Sequence, residues 1–229
     1  AHPSADPLAV ATALSRGAFE YQGQKCSAAS RAYIPENIWP QVKKALLEDL
    51  ASMKMGEPRD FKNFINAVID EKSFDKITGY IAAAKKDKTN NKIIAGGKSD
   101  KSVGYFIEPT VIETTDPKSI TMCEEIFGPV LTVHVYSSNR WTDTLKLVDS
   151  TGQSARSGAV FGREREAIVH STHVFESAFG KPEIMRGLGR IQERASRTRC
   201  CCALVGVVVR LVVHREHMCF DELEFRLLR

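Results

Sequence analysis

Apolar and polar residues alternate along the chain in two distinct patterns, one with helical spacing and one typical of short buried strands. The helical pattern predicts helices that begin at Ser4, Asn37, Asp70, Asn139 or Thr142, and about Arg163. The β-branched and apolar runs predict strands at residues 32–34, 91–95, 105–114, 130–136 and 157–161. Because strands and helices alternate, the pattern predicts an α/β fold with a parallel sheet.

The first predicted helix leads directly to a cysteine. Ser4 is a plausible N-cap, and the apolar face is formed by Leu8, Ala11, Leu14 and Ala18. This helix is expected to run into a turn at Gly23 and to place Cys26 just beyond its end.

Composition limits the classes of function. In the 229 residues, hydrophobic residues make up 43% and charged residues 26%, which is typical of a soluble globular protein. The net charge of +4 comes from lysines interleaved with acids, so no nucleic-acid partner is expected. The longest apolar run, residues 203–213, is too short to span a bilayer and contains Arg210, so no membrane partner is expected either. No targeting pattern is visible in the first residues.

The composition changes abruptly after Val174. Residues 1–174 contain 7 Arg and 15 Lys, whereas residues 175–229 contain 9 Arg and 1 Lys. We therefore predict a domain over residues 1–174 and a divergent tail over residues 175–229. The tail is either a separate domain or the product of a splice variant, a shifted reading frame or a gene-model error, and we favour the second interpretation.

The six cysteines do not form a regular disulfide pattern, so we expect them to be reduced. A metal site in the tail is a weak hypothesis, because consecutive cysteines splay their side chains away from a common ion. We therefore predict no metal site. The residues of this hypothesis are Cys200, Cys201, Cys202, His214, His217 and Cys219.

Cys26 is the candidate nucleophile. It lies in the segment Gly-Gln-Lys-Cys-Ser-Ala-Ala-Ser-Arg, where a lysine and small residues adjoin the thiol. A neighbouring cation favours the thiolate, and backbone amides that approach the sulfur can stabilise an oxyanion. The alternative is an inert, partly buried thiol, which is the commoner role of a lone cysteine.

A second candidate segment is Glu-Glu-Ile-Phe-Gly-Pro-Val at residues 124–130. The Gly-Pro pair predicts a turn just before a strand, which holds the preceding side chains in a fixed loop. Glu125 and Phe127 would then offer a carboxylate acceptor and an aromatic face. An ordinary turn with a core phenylalanine and solvated acids is the alternative.

Together these two segments resemble the aldehyde dehydrogenase family. The resemblance also includes Gly-Tyr-Phe-Ile-Glu-Pro-Thr at residues 104–110 and runs nearly continuously to about Val174. It implies the catalytic domain of that fold, with a mostly parallel sheet flanked by helices. It further implies that Cys26 is the nucleophile, that Glu125 binds the nicotinamide ribose of NAD, and that Phe127 lies beside the nicotinamide ring.

The form Phe-Glu-Tyr-Gln-Gly-Gln-Lys-Cys at residues 19–26 resembles the branch that oxidises L-glutamate gamma-semialdehyde (delta-1-pyrroline-5-carboxylate) to L-glutamate in proline catabolism. The resemblance implies a small-molecule aldehyde substrate, assembly into homo-oligomers and a location in the mitochondrial matrix. Another aldehyde dehydrogenase branch remains an alternative.

The chain also departs from the family's pattern. The Rossmann-type cofactor domain, the general-base glutamate, the oxyanion asparagine and the loop that anchors the substrate carboxylate have no counterpart in these 229 residues. We therefore expect the chain by itself to be inactive as a dehydrogenase. The alternative function is that of a non-catalytic product that associates with full-length subunits.

Overall fold

The computed structural model describes residues 1–151, 158–178 and 184–185. The tail cysteines and histidines of the metal hypothesis, and most of the predicted tail, lie outside the described residues. The helices are α1 (Pro7–Phe19), α2 (Trp39–Ser52), α3 (Glu71–Lys86), α4 (Ile120–Cys123), α5 (Trp141–Thr151) and α6 (Arg165–Ala178). The strands are β1 (Arg31–Pro35), β2 (Asn91–Ala95), β3 (Ser99–Asp100), β4 (Phe106–Ile107), β5 (Thr110–Thr114), β6 (Val130–Tyr136), β7 (Gly158–Ala159) and β8 (Ile184–Met185).

Four strands form the central sheet in the order β1–β6–β5–β2. β1 pairs with β6 and β6 pairs with β5 in parallel, with Arg31 opposite Thr132 and Thr110 opposite Val130. β2 is an antiparallel edge strand. The predicted α/β fold with a mostly parallel sheet is confirmed.

Helices cover both faces of this sheet. Val111 and Leu131 point into a core shared with α1 and α2, while the adjacent residues Ile112 and Val130 point into a core shared with α3. Side chains of successive strand residues alternate between faces, so β5 and β6 are apolar on both sides. This explains why the sequence shows continuous apolar runs there.

The predicted start of α1 is wrong in detail. Asp6, not Ser4, is the N-cap, and its carboxylate accepts hydrogen bonds from the N–H groups of Leu8 and Ala9. The Ser4 hydroxyl instead accepts the N–H groups of Arg163 and Glu164, just before α6. Ser4 therefore binds the main chain just before the start of the distant helix α6, and its local sequence does not reveal this contact.

Two further helix predictions need correction. Leu8 is 67% exposed, and Val10 takes its place on the buried face of α1. Asn37 does not cap α2, because the N-cap is Ile38 without a side-chain hydrogen bond and the Asn37 amide donates to the Pro3 carbonyl. Asp70 does cap α3, through a 2.7 Å hydrogen bond from the Ser73 N–H.

The predicted strand 105–114 is interrupted. It consists of β4 and β5, which are separated at Glu108 and Pro109 because proline has no N–H for a strand ladder. Of the predicted strand 157–161, Ser157 lies outside the described residues, and the strand that forms is only Gly158–Ala159. The last predicted helix begins at Arg165 and continues past Val174 to Ala178.

Candidate active site

The Cys26 segment begins where α1 ends. Phe19 is fully buried at the helix end and is followed by a sharp turn, Glu20–Gly23. Tyr21 and Gln22 have left-handed φ angles of 54° and 56°, and Gly23 continues this conformation with a φ of 65°. A left-handed run that includes two residues with side chains is costly, and such strain occurs at functional sites. This sharp turn directs the chain away from α1 toward Cys26.

Cys26 lies at the second position of a tight turn. The turn is closed by a 3.0 Å hydrogen bond from the Ala28 N–H to the Lys25 carbonyl. A second hydrogen bond, from the Ala29 N–H to the Gly17 carbonyl at 2.9 Å, fastens the segment to α1. Cys26 itself is exposed. The exposed thiol is thus carried by a main chain that these two hydrogen bonds hold in place.

The lysine beside Cys26 is paired with an acid. The Lys25 ammonium lies 3.5 Å from one carboxylate oxygen of Glu20, whose other oxygen lies 3.8 Å from Arg16. Gln24 is also engaged, because its side-chain oxygen accepts the N–H of Ile69 at 2.9 Å. These contacts fix the residues that flank the thiol.

The second segment forms a loop between α4 and β6. Ile126 is only 1% exposed and anchors this loop in the core below α3. Phe127 has a left-handed φ of 60°, and its ring is 42% exposed. Glu125 is exposed, while its carbonyl oxygen accepts a 2.8 Å hydrogen bond from the Lys76 ammonium of α3. The loop therefore offers a carboxylate and an aromatic ring from a fixed main chain.

The two loops meet at their glycines. A Cβ on Gly23 would overlap the carbonyl oxygen of Gly128, so the two main chains are in direct contact. In the described part of the chain, the non-glycine residues with left-handed φ are Tyr21, Gln22 and Phe127. All three belong to these two loops, which places the strained backbone around the predicted site.

Lys76 is a residue of this region that the sequence did not indicate. It lies on the exposed face of α3, where a lysine is the ordinary solvated residue, and its partner is 49 positions away. No local pattern could have identified it. The same holds for the hydrogen bond between Ile69 and Gln24.

The described residues contain neither a candidate metal cluster nor a membrane-spanning helix. None of the described residues form a cluster of three or more His, Cys, Asp or Glu side chains suited to a metal ion. Within the same part of the chain, no helix has the length and apolar character needed to cross a membrane.

The sequence profile described as the aldehyde dehydrogenase family matches residues 1–178. The chain belongs to the aldehyde dehydrogenase family. The match covers both loops of the site and the whole of the central sheet.

Curated members of the family are similar to this chain over the same region. The delta-1-pyrroline-5-carboxylate dehydrogenase of Danio rerio, named as mitochondrial, is 48% identical over 180 residues, which are 78% of this chain and 32% of that protein. The mitochondrial enzyme of the same name from Homo sapiens is 47% identical over 180 residues, with the same coverage. The chain thus spans about a third of the length of these relatives.

Solved structures of family members share the fold. The delta-pyrroline-5-carboxylate dehydrogenase of Mycobacterium tuberculosis bound with NAD is 39% identical, with a TM-score of 0.72 over 79% of this chain and 32% of that one. The Thermus 1-pyrroline-5-carboxylate dehydrogenase with bound NAD is 28% identical, with a TM-score of 0.68 over 79% of this chain and 33% of that one. The described architecture of this chain is that of these aldehyde dehydrogenases.

Proposed function

We propose that this aldehyde dehydrogenase chain is part of an NAD-dependent enzyme that oxidises L-glutamate gamma-semialdehyde to L-glutamate. The observation that carries the proposal is the contact between the loop of the exposed Cys26 and the loop of Glu125 and Phe127. Identities of 47–48% to relatives named delta-1-pyrroline-5-carboxylate dehydrogenase support the choice of substrate. These relatives are named as mitochondrial, and we propose the mitochondrial matrix as the location of this protein.

In the proposed reaction, Cys26 acts as the nucleophile. Its thiolate forms a bond to the aldehyde carbon, and the electron pair of the C=O bond moves to the oxygen, which gives a thiohemiacetal. Main-chain N–H groups of the tight turn at Cys26 would be the donors that stabilise the oxyanion. NAD, when bound, accepts the hydride that leaves the former aldehyde carbon. The resulting thioester on Cys26 is then hydrolysed, which releases the acid and restores the thiol.

The residues of the second loop fit the nicotinamide end of NAD. The exposed Glu125 carboxylate can accept hydrogen bonds from the two ribose hydroxyls, and the exposed ring of Phe127 can lie against the nicotinamide. Lys76 holds the main chain of Glu125 through its carbonyl, so the carboxylate remains available to the ribose.

A second candidate function is association with full-length subunits. It is favoured by large apolar side chains that lie open on the described surface, where Phe61 is 99% exposed, Ile69 80% and Val103 89%. Exposed apolar residues of this kind favour association with another protein surface. Co-purification of the 229-residue chain with an intact homologue would support this function, whereas failure to bind the homologue at micromolar concentration would exclude it.

The dehydrogenase proposal is tested in a complete enzyme. Residues 1–178 replace the matched segment of the Danio rerio relative, and NADH formation from L-glutamate gamma-semialdehyde is followed. We expect turnover, its loss in Cys26→Ser, and its retention in Cys123→Ser, the matched change at the other described cysteine. Activity of the Cys26→Ser chimera equal to that of its parent would overturn the assignment of the nucleophile.

The 229-residue chain alone is the second arm of this test. Because it spans about a third of its relatives, we expect no steady NADH formation from the purified chain. Sustained turnover by this chain would show that it contains a complete site and would contradict the expectation.

A further inference from the structure

Arg31 connects the Cys26 segment to the Glu125 loop. It is the first residue of β1, which follows the Cys26 turn, and its Nη1 donates a 2.8 Å hydrogen bond to the carbonyl oxygen of Met122 in α4. The two residues are 91 positions apart, and Met122 is only 1% exposed. The segments that carry the chemistry are therefore joined at this hydrogen bond as well as at Gly23 and Gly128.

The carbonyl that Arg31 contacts lacks a partner within its own helix. α4 has only four residues, Ile120–Cys123, and its C-cap N–H bonds to the Ile120 carbonyl. The last carbonyls of a helix have no intrahelical donor and carry a partial negative charge. The guanidinium of Arg31 supplies both a hydrogen-bond donor and a positive charge. Arg31 therefore fixes the end of α4 from which the chain enters the Glu125 loop.

Lys76 provides a similar contact on the other side of Glu124. Its ammonium donates to the Glu125 carbonyl at 2.8 Å, and Arg31 donates to the Met122 carbonyl at the same distance. Two cations from different elements thus hold the main chain immediately before Phe127. Both bind carbonyl oxygens, and neither contact uses the Glu125 carboxylate.

We infer that Arg31 is a positioning residue, which sets the Glu125–Phe127 turn relative to Cys26 by holding the Met122 carbonyl. The expected effect of this positioning by Arg31 on cofactor binding rests on the proposed function. The positional coupling itself is a property of the folded chain and is measurable without aldehyde or NAD.

Cys123 provides an internal reporter of this coupling. It is the last residue of α4, next to the Met122 whose carbonyl Arg31 holds, and it is partly exposed. Release of the Met122 carbonyl would loosen α4 and increase access to the Cys123 thiol. Cys26, on the other segment, serves as the comparison thiol in the same molecule.

The experiment measures iodoacetamide alkylation of the folded 229-residue chain, with each cysteine assigned by peptide mass spectrometry. For Arg31→Met we expect Cys123 to react about tenfold faster, as loss of one charge-assisted hydrogen bond predicts. Arg31→Lys keeps a cationic donor and should restore the Cys123 rate to within about twofold of the parent chain. Arg59→Met is the matched control, since Arg59 is 91% exposed on a surface loop, and it should leave the rate unchanged.

A folded Arg31→Met chain whose Cys123 reacts at the parent rate would overturn the inference. If Arg31→Met does not fold, Arg31→Lys is compared with Arg31→Gln, and equal Cys123 rates in these two variants would overturn it. A difference in favour of Arg31→Lys would support it. Because alkylation requires no turnover, failure of the proposed dehydrogenase function leaves this outcome unaffected.

Discussion

Gly23 and Gly128 bring the two loops of the candidate site into main-chain contact. Gly23 has a left-handed φ of 65°, and a Cβ there would overlap the Gly128 carbonyl oxygen and lie 2.7 Å from the Ala18 carbonyl oxygen. Both obstacles are backbone atoms, which cannot move aside as a flexible side chain can. The position therefore requires glycine for its conformation and for its surroundings.

Gly23→Ala is expected to lower the free energy of unfolding by about 3 kcal/mol, since strain and overlap act together. The matched control is Gly79→Ala in α3, where an added Cβ meets nothing within 4 Å. That change should raise the free energy of unfolding by about 0.5–1 kcal/mol, because alanine is the better helix former. Urea denaturation of both variants measures the difference, and equal effects would contradict the prediction.

Ile126 and Phe127 are adjacent but are expected to contribute differently to stability. Ile126 is 1% exposed, so Ile126→Ala should cost about 3 kcal/mol through the cavity it creates. Phe127 is 42% exposed and has a left-handed φ, so the burial that Phe127→Gly loses is offset in part by the relief of strain. We expect it to leave the free energy of unfolding within about 1 kcal/mol of the parent value. Denaturant titrations that gave Phe127→Gly the larger loss would show that the ring is a core residue.

Glu125→Gln tests the role of the carboxylate in the complete chimera. Loss of a charged hydrogen-bond acceptor is expected to raise the KM for NAD about tenfold. Glu124→Gln is the matched control, since Glu124 is also exposed and lies next to it in the same loop. Steady-state kinetics with varied NAD measure both variants. The assignment fails if the two changes raise KM equally.

Because of Asp6, the stability of α1 should decrease as the pH falls into the acid range. The N–H groups of Ala9 and Leu8, together with Arg163, hold the pKa of Asp6 below its usual value of 3.8, with Ala9 the strongest cause. A carboxyl group whose pKa is lowered by folding stabilises the protein above its unfolded pKa, and this contribution is lost as the pH falls through the folded pKa. The described fold should therefore lose the contribution of Asp6 below about pH 4.

Two variants separate the charge of Asp6 from its hydrogen bonds. Asp6→Asn keeps an oxygen that can accept the helix N–H groups, so it should mainly flatten the acid dependence of the melting temperature. Asp6→Ala also removes the cap and should cost about 1 kcal/mol more at neutral pH. A melting temperature in Asp6→Asn that falls with acid as steeply as in the parent would assign the dependence to other groups.

The success of sequence-based prediction differed between elements for physical reasons. The helix start at Asp70 and the strand β6 were predicted correctly because capping and continuous apolar runs are local properties. Ser4, Leu8 and Asn37 were assigned wrong roles, because their partners or surroundings come from distant parts of the chain. The predicted strand 105–114 is two strands, because its residues pair with different partners, β3 and β6, that lie elsewhere in the chain.

The sequence by itself predicts the candidate site residues Cys26, Glu125 and Phe127, since a cysteine between small residues and a Glu-Ile-Phe-Gly-Pro turn each have a defined local form. The α/β class follows from the apolar periodicity, and the family from the resemblance of its motifs and their order. Only the tertiary structure decides how the two loops meet, because Gly23 with Gly128 and Arg31 with Met122 are contacts between residues far apart in sequence. Such contacts depend on how α1, α3 and α4 pack around the sheet.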